Sequence, residues 1–281
     1  MSFICEDCPH NCKIDRDKNL GFCLVNSEIV VAKIIKNFMW EEPSLCFNKG
    51  VTAVFFAGCN LKCEFCQNEK ISRCGKGDLY SIHDFAKLLE KIDSEETDGI
   101  DLISPTQFTS KLLDVFVLYK PKHKVIWNSN GYEKEENIEK LSKYVDVFLP
   151  DFKYFDDDLA LKLSKVMNYS SVSFNAISKM CEIKPTVMKG EEMMQGVIVR
   201  HLVLPDEVEN SRRVLEKIRE ISKDVYVSLM AQFTPNGKGE KNRKITPLEY
   251  KIVLSYFKKL GLTNGYFQDL DSSSQCFIPK F

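Results

Sequence analysis

Beyond residue 50 the apolar and polar positions keep two alternating rhythms. Short apolar runs rich in β-branched and aromatic residues recur at VTAVFFA (51–57), IDLI (100–103), KVIW (124–127), VDVFL (145–149), VIVRHLVL (197–204) and VYVSLM (225–230). Runs of this length and make-up read as buried strands. Helical periods lie between them. In SIHDFAKLLEKI, Ile82, Phe85, Leu88, Leu89 and Ile92 fall on one face, and Ser81 with Asp84 three residues later marks its start. A second helix carries Phe108, Leu112, Leu113 and Phe116, and the last runs from the cap Thr246 through Pro247 and Glu249 to Gly261 just past its end. Six strand–helix repeats predict an α/β fold with a mainly parallel sheet and right-handed crossovers. A doubly wound open sheet and a full or partial barrel both satisfy that pattern. Upstream, EIVVAKII (28–35) predicts one more strand and EEPSLCFNKG a loop.

In parallel α/β sheets chemistry collects at the carboxyl ends of the strands. Those ends carry three cysteines after the first strand and Ser104, Thr106 and Gln107 after the second. Asn128, Ser129 and Asn130 follow the third, and Asp151 and Lys153 the fourth, where a spacing of two puts both on one face. Arg200 and His201 lie on the fifth strand, pointing to opposite sides, and Gln232 follows the sixth. A lone strand histidine is more often a satisfied structural group, so His201 is expected to be one.

Net charge is −1 over 281 residues, with 44% hydrophobic residues. That balance leaves no footprint for nucleic acid and no basic cluster for a membrane, and no apolar run is long enough to span one. The first residues, MSFICEDCPHNCK, lack the pattern of a signal peptide, so a cytoplasmic location is expected.

Eleven cysteines change the picture. In a reducing compartment, clustered thiols point to metal or redox chemistry rather than disulfides. Cys46, Cys74, Cys181 and Cys276 stand apart and read as small, often buried hydrophobes. Cys59, Cys63 and Cys66 are spaced C-x3-C-x2-C. A structural zinc site needs a fourth ligand, for which Cys74 is the candidate. Three thiolates suit an iron–sulfur cubane with one iron left open to a substrate or cosubstrate.

That spacing after a first strand, in the phrase FFAGCNLKCEFCQNEKIS, resembles the signature of radical S-adenosylmethionine (SAM) enzymes of the pyruvate formate-lyase activating enzyme-related branch. The segments CEDCPHNC, SPT, NSNGY, LPDFKY, VRHLVLP, MAQFTP and GYFQDLDSSS are similar to that branch's blocks, in the same order. The resemblance implies a partial (β/α)6 barrel over residues 49–281, preceded by a Cys-rich segment over 1–48. It implies a [4Fe-4S] cluster on Cys59, Cys63 and Cys66, whose electron cleaves SAM to a 5′-deoxyadenosyl radical that abstracts hydrogen from substrate. It places Phe65, Ser104, Thr106, Asn128, Asp151, Lys153, Arg200 and Gln232 around SAM. Lys153 is expected to pair with the SAM carboxylate, Asp151 with its ammonium, and Phe65 to pack near the adenine. Where the activating enzymes carry Gly-Gly-Glu, this chain reads Ser104-Pro105-Thr106-Gln107.

Cys5, Cys8, Cys12 and Cys23 make a four-thiolate set suited to zinc or an auxiliary iron–sulfur cluster, with His10 as an alternative ligand. By the same resemblance, an anaerobic host, a flavodoxin- or ferredoxin-type electron donor and a glycyl radical enzyme as substrate are expected. A second target is another peptide, protein or small molecule. A third reading makes the chain a zinc-binding scaffold without catalysis.

Overall fold

Burial along the central strands alternates between two apolar faces, and that alternation sets the architecture. The structure, a computed structural model, describes residues 4–237 and 241–270. Its strands are β1 (Ile29–Phe38), β2 (Val51–Phe56), β3 (Asp78–Tyr80), β4 (Ile100–Ile103), β5 (Val125–Ser129), β6 (Val147–Pro150), β7 (Val187–Lys189), β8 (Glu192–Leu202), β9 (Tyr226–Met230) and β10 (Gly265–Phe267). Its helices are α1 (Glu69–Ser72), α2 (Ile82–Asp93), α3 (Thr109–Leu118), α4 (Glu135–Leu141), α5 (Asp157–Ser164), α6 (Tyr169–Ile183), α7 (Val208–Ile221) and α8 (Pro247–Lys259). None among the described residues is long and apolar enough to cross a membrane.

The sheet runs β10-β9-β8-β6-β5-β4-β2-β1-β3, with β7 beside β8. Within it β2, β4, β5, β6, β8 and β9 are parallel neighbours in chain order. These are the six strands anticipated from the apolar runs. On one face, Val54, Phe56, Leu102, Trp127 and Phe148 pack with the buried residues of α2 through α8. On the other, Ala53, Phe55, Ile103, Ile126, Val147, Leu149 and Ile198 form a separate cluster that α2 through α8 do not enter. With α2 through α8 on one face only and the strands in chain order, this is a partial barrel rather than a doubly wound sheet. Burying each large apolar side chain contributes roughly 1.5–3 kcal/mol, so the outer face anchors the helices.

Helix ends follow their sequence signals. The Ser81 hydroxyl accepts from the Asp84 N–H to start α2, and Thr246 with Glu249 closes a full capping box around Pro247 on α8. Such caps are each worth about 1 kcal/mol.

The stretch before the barrel is more integrated than its composition suggests. β1 is ten residues long, pairs antiparallel with β2, and takes β3 on its other side. Phe38 at its end, with Leu45 and Cys46 of the segment that follows, enters the inner cluster. Residues 4–28 dock on the strand-end side through Arg16. Its buried guanidinium donates to the Asn26 carbonyl (2.6 Å), the Gln107 carbonyl (2.5 Å) and Asp7 (3.3 Å).

Candidate active site

The loop after β2 holds the three closely spaced cysteines. Gly58 turns the chain at φ +75°, and a Cβ there would lie 2.4 Å from the Cys23 carbonyl oxygen, so only glycine lets the loop leave the strand. Gln107 braces the turn from below, its side-chain amide donating to the carbonyls of Ala57 (3.0 Å) and Ser104 (2.8 Å). The sulfurs collect donors. Cys59 Sγ accepts from the Leu61 N–H and from Asn130 Nδ2, each at 3.4 Å, and Cys63 Sγ accepts from the Ser164 hydroxyl at 3.0 Å. Cys66 Sγ lies 3.3 Å from Ser72 Oγ. Burial first, then the neighbouring Cys63 and Cys66 sulfurs, push the Cys59 thiol up to about 12.

Two cations beside this set make no ion pair among the described residues. Lys62 Nζ is buried with no hydrogen-bond partner, and Arg73 Nε is likewise unpaired. Burial holds the Lys62 ammonium below its usual value, while the Cys59 sulfur draws it back up. Three thiolates around an iron–sulfur core carry net negative charge, which these two cations offset. The residues therefore fit such a group. Cys74 is exposed, donates to the Lys70 carbonyl (2.7 Å) and does not face the cavity, so among the described residues no fourth cysteine completes the set. Among the described residues no group of three or more His, Cys, Asp or Glu is arranged to hold a single metal ion.

All three cysteines line one cavity of about 660 Å³ inside the barrel, a size suited to a cofactor with its substrate. Phe65, Ser104, Asn128, Asp151, Lys153, Arg200 and Gln232 line it as well. The structure corrects the expectation for Thr106. A short 3-10 turn over Thr106–Phe108 carries it behind the strand ends, where its buried hydroxyl donates to Glu133 (2.7 Å). Ser104 sits at φ +56° and gives its N–H to the Asn128 carbonyl (2.8 Å).

Opposite the cysteines the wall is charged. Lys153 and Arg200 both pair with Asp151, at 2.5 and 3.1 Å. Burial alone would raise the Asp151 carboxyl, but the two cations hold it below its usual value. Arg200 also donates to Glu41 (3.1 Å) and to the Asn128 side-chain carbonyl. Asn128 donates in turn to Asp101 (3.3 Å) and Glu41 (3.4 Å). His201 points the other way, fully buried between the Phe152 carbonyl and Ser211, a structural histidine.

Sequence reasoning missed Glu41, Glu42 and Asp101. The glutamates sit in a stretch read as a plain loop, and Asp101 lies inside an apolar run. The available signal was that one carboxylate among Ile100, Leu102 and Ile103, which a buried strand tolerates only when something faces it.

The N-terminal cysteines gather beside the same loop. Cys5, Cys8 and Cys23 are buried, and a Cβ on Gly21 would lie 3.3 Å from Cys23 Sγ and 3.8 Å from Cys12 Sγ. Burial raises the Cys8 thiol, with Cys23, Cys5 and Cys12 adding to it. His10 is engaged elsewhere: its Nε2 lies 2.8 Å from the Asn60 carbonyl and its ring stacks on Phe22. Of the isolated cysteines, Cys46 is buried with its thiol on the Phe38 carbonyl (3.3 Å), and burial pushes Cys181 up to about 12. Cys276 lies outside the described residues.

Comparison with known proteins agrees with this geometry. An uncharacterised protein of Methanocaldococcus jannaschii is 28% identical over 272 residues, covering 92% of this chain and 75% of that one. The pyruvate formate-lyase-activating enzyme of Clostridium pasteurianum is 26% identical over 227 residues, covering 75% of this chain and 87% of that one. The trans-4-hydroxy-L-proline dehydratase activating enzyme of Clostridioides difficile is 33% identical over 99 residues, a third of each chain. The crystal structure of Streptococcus suis SuiB bound to S-adenosylmethionine superposes with a TM-score of 0.52 at 15% identity. It shares the fold over 75% of this chain, which spans about half of SuiB (48%). The Radical SAM superfamily profile matches residues 53–218, from the strand before the cysteine loop to the helix after Arg200. The chain belongs to the radical SAM superfamily, and with that membership come a [4Fe-4S] cluster, S-adenosylmethionine and redox radical chemistry.

Proposed function

We propose that the protein is an activating enzyme that draws a hydrogen atom from a backbone glycine of a partner glycyl radical enzyme. The observation that carries the reading is the sharing of one cavity by Cys59, Cys63 and Cys66 with Asn128, Asp151, Lys153, Arg200 and Gln232. Two relatives with activating-enzyme names support the target class. Cys59, Cys63 and Cys66 would hold the [4Fe-4S] cluster and leave one iron for SAM. Together, when bound, cluster and cosubstrate supply an electron and a primary carbon radical able to take hydrogen from an unactivated position.

The chain's own residues position and shield. Lys153 offers its ammonium to the SAM carboxylate, and Asp151, held ionised by two cations, accepts from the SAM ammonium. Asn128 and the Ser104 carbonyl add hydrogen bonds, and Gln232 lines the same space. Phe65, 5.8 Å from Phe233 between ring centroids, gives the adenine an aromatic surface. Phe55, Ile103, Leu202 and Met230 exclude water from the reacting atoms. A flavodoxin- or ferredoxin-type protein supplies the electron. The four N-terminal thiols, close enough to act on one another, would hold a second centre, zinc or iron–sulfur.

A second reading keeps the cofactors and changes the target to another peptide or small molecule, favoured by the carboxylates deep in the cavity. The test is anaerobic reconstitution with reductant and SAM. Wild type is expected to release 5′-deoxyadenosine and Cys63→Ala none. With the right partner, a glycyl radical doublet appears by electron paramagnetic resonance. Wild type without 5′-deoxyadenosine sinks the cofactor assignment; 5′-deoxyadenosine without a doublet from any encoded partner sinks the glycine target and leaves the second reading.

A further inference from the structure

Deep in the cavity there is more carboxylate than the local cations can pair. Among the described residues, the cations beside Glu41, Glu42, Asp101 and Asp151 are Lys153 and Arg200. Lys153 is committed to Asp151, and Arg200 spans Asp151 and Glu41. Glu42 lines the cavity at 7% exposure, and its Oε2 has no hydrogen-bond partner. Asp101 is fully buried behind Asn128, and its Oδ1 has none either. A buried carboxylate oxygen left unpaired costs on the order of 1–3 kcal/mol, more when ionised, and persists where a ligand or function pays that cost.

The wall beside these acids is aromatic. Phe38, Trp40 and Phe55 line the cavity with ring centroids 5.2 and 5.8 Å apart along the run. Aromatic faces next to carboxylates make a seat for a cation, since both ring quadrupole and charge attract it.

On the reading above Asp151 takes SAM's own ammonium, which leaves this seat to another cation. On the same reading, the amino-acid end of SAM stays with the iron held by the cysteine loop, which begins at Ala57. Asp101 pairs with Ala53, four residues earlier on β2. At strand rise its backbone is about 13 Å below that start, and its side chain reaches up as far as Asn128 (3.3 Å).

We propose that the inner end of the cavity, built on Glu42 beside Phe38, Trp40 and Phe55 and backed by the buried Asp101, binds an ammonium or guanidinium group of the substrate. This inference rests on the reading that the outer end takes the cluster and SAM. The hydrogen to be abstracted then lies within one side-chain length of a positive charge. That charge belongs either to a free amine or to a basic side chain flanking the target in a peptide. Burial raises the Asp101 carboxyl to about 7, and burial with the Asp101 charge raises Glu41. Arg200 beside them lowers both but does not offset that burial.

The test is calorimetric titration of the anaerobically reconstituted, SAM-saturated protein. Probes are agmatine and cadaverine as free cations, a capped tripeptide with central lysine, and neutral counterparts, 1-pentanol and the norleucine tripeptide. At least tenfold tighter binding of a cationic probe than its neutral counterpart is expected, falling below threefold in Glu42→Gln. Whichever of the free amines and the lysine tripeptide binds tighter identifies the source of the charge. Equal binding of charged and neutral probes in wild type, or binding of neither, overturns the proposal without reference to any variant's folding. Release of 5′-deoxyadenosine by the same preparation without probe is read separately and reports on the outer site alone.

Discussion

At the scale of single residues, the most informative groups are those whose burial conflicts with their charge. Glu133 is one, outside the cavity. It is almost fully buried and accepts from Trp127 Nε1 (3.0 Å) and the Thr106 hydroxyl (2.7 Å). Burial outweighs these bonds and pushes its carboxyl up to about 7. Between the ordinary carboxylate value and about 7, the folded chain keeps a proton that the unfolded chain has released. Its contribution to stability is therefore fully present below the ordinary value and is lost as pH rises through about 7. Glu133→Gln keeps the shape and removes the titration. The variant should gain on wild type by up to about 3 kcal/mol more at pH 8 than at pH 5. Denaturant unfolding at the two pH values measures this, and an equal gain at both contradicts the burial argument. Lys62 Nζ and Arg73 Nε conflict in the opposite sense: each is buried beside the cysteine loop with no hydrogen-bond partner.

At the scale of elements, function rests on how the loop after β2 leaves its strand. Gly58 is pinned by its positive φ and by the Cys23 backbone 2.4 Å from where a Cβ would sit. Gly58→Ala must either move residues 23–25 or distort the loop bearing Cys59. A loss of at least about 2 kcal/mol in unfolding free energy is expected, combining left-handed strain with a backbone clash. A variant as stable as wild type, with full iron uptake, would show that the N-terminal segment does not constrain the loop. The β1 segment teaches a related lesson. Its strand was legible from EIVVAKII, but not that the following residues re-enter the barrel to deliver Trp40, Glu41 and Glu42 to the cavity.

At the scale of the whole molecule, the N-terminal cysteines and the cluster loop form one continuous structure. Arg16 locks residues 4–28 to the turn at Gln107, which itself braces Ala57. A second centre held there, as proposed, would sit next to the first, where a relay or a structural clamp are both workable. Metal analysis separates the sets. With Cys59, Cys63 and Cys66 all changed to Ala, the reconstituted protein should retain about four irons or about one zinc. Changing Cys5, Cys8, Cys12 and Cys23 to Ser as well should remove it. A triple variant that retains no metal overturns the N-terminal assignment.

From its order of residues alone, the chain determined its six parallel strands, the caps of α2 and α8, and the C-x3-C-x2-C loop. These depend on neighbours within one turn or one strand, which sequence spacing encodes directly. The tertiary structure decided which strand-end polar groups share a space: it turned Thr106 away onto Glu133 and drew Asn128, Asp151 and Arg200 into one network. It alone gathered Glu41, Glu42 and Asp101, because they meet across strands distant in the chain. The choice of a partial barrel over a doubly wound sheet was tertiary too. Both faces of every central strand are apolar, and only packing assigns all the long helices to one of them.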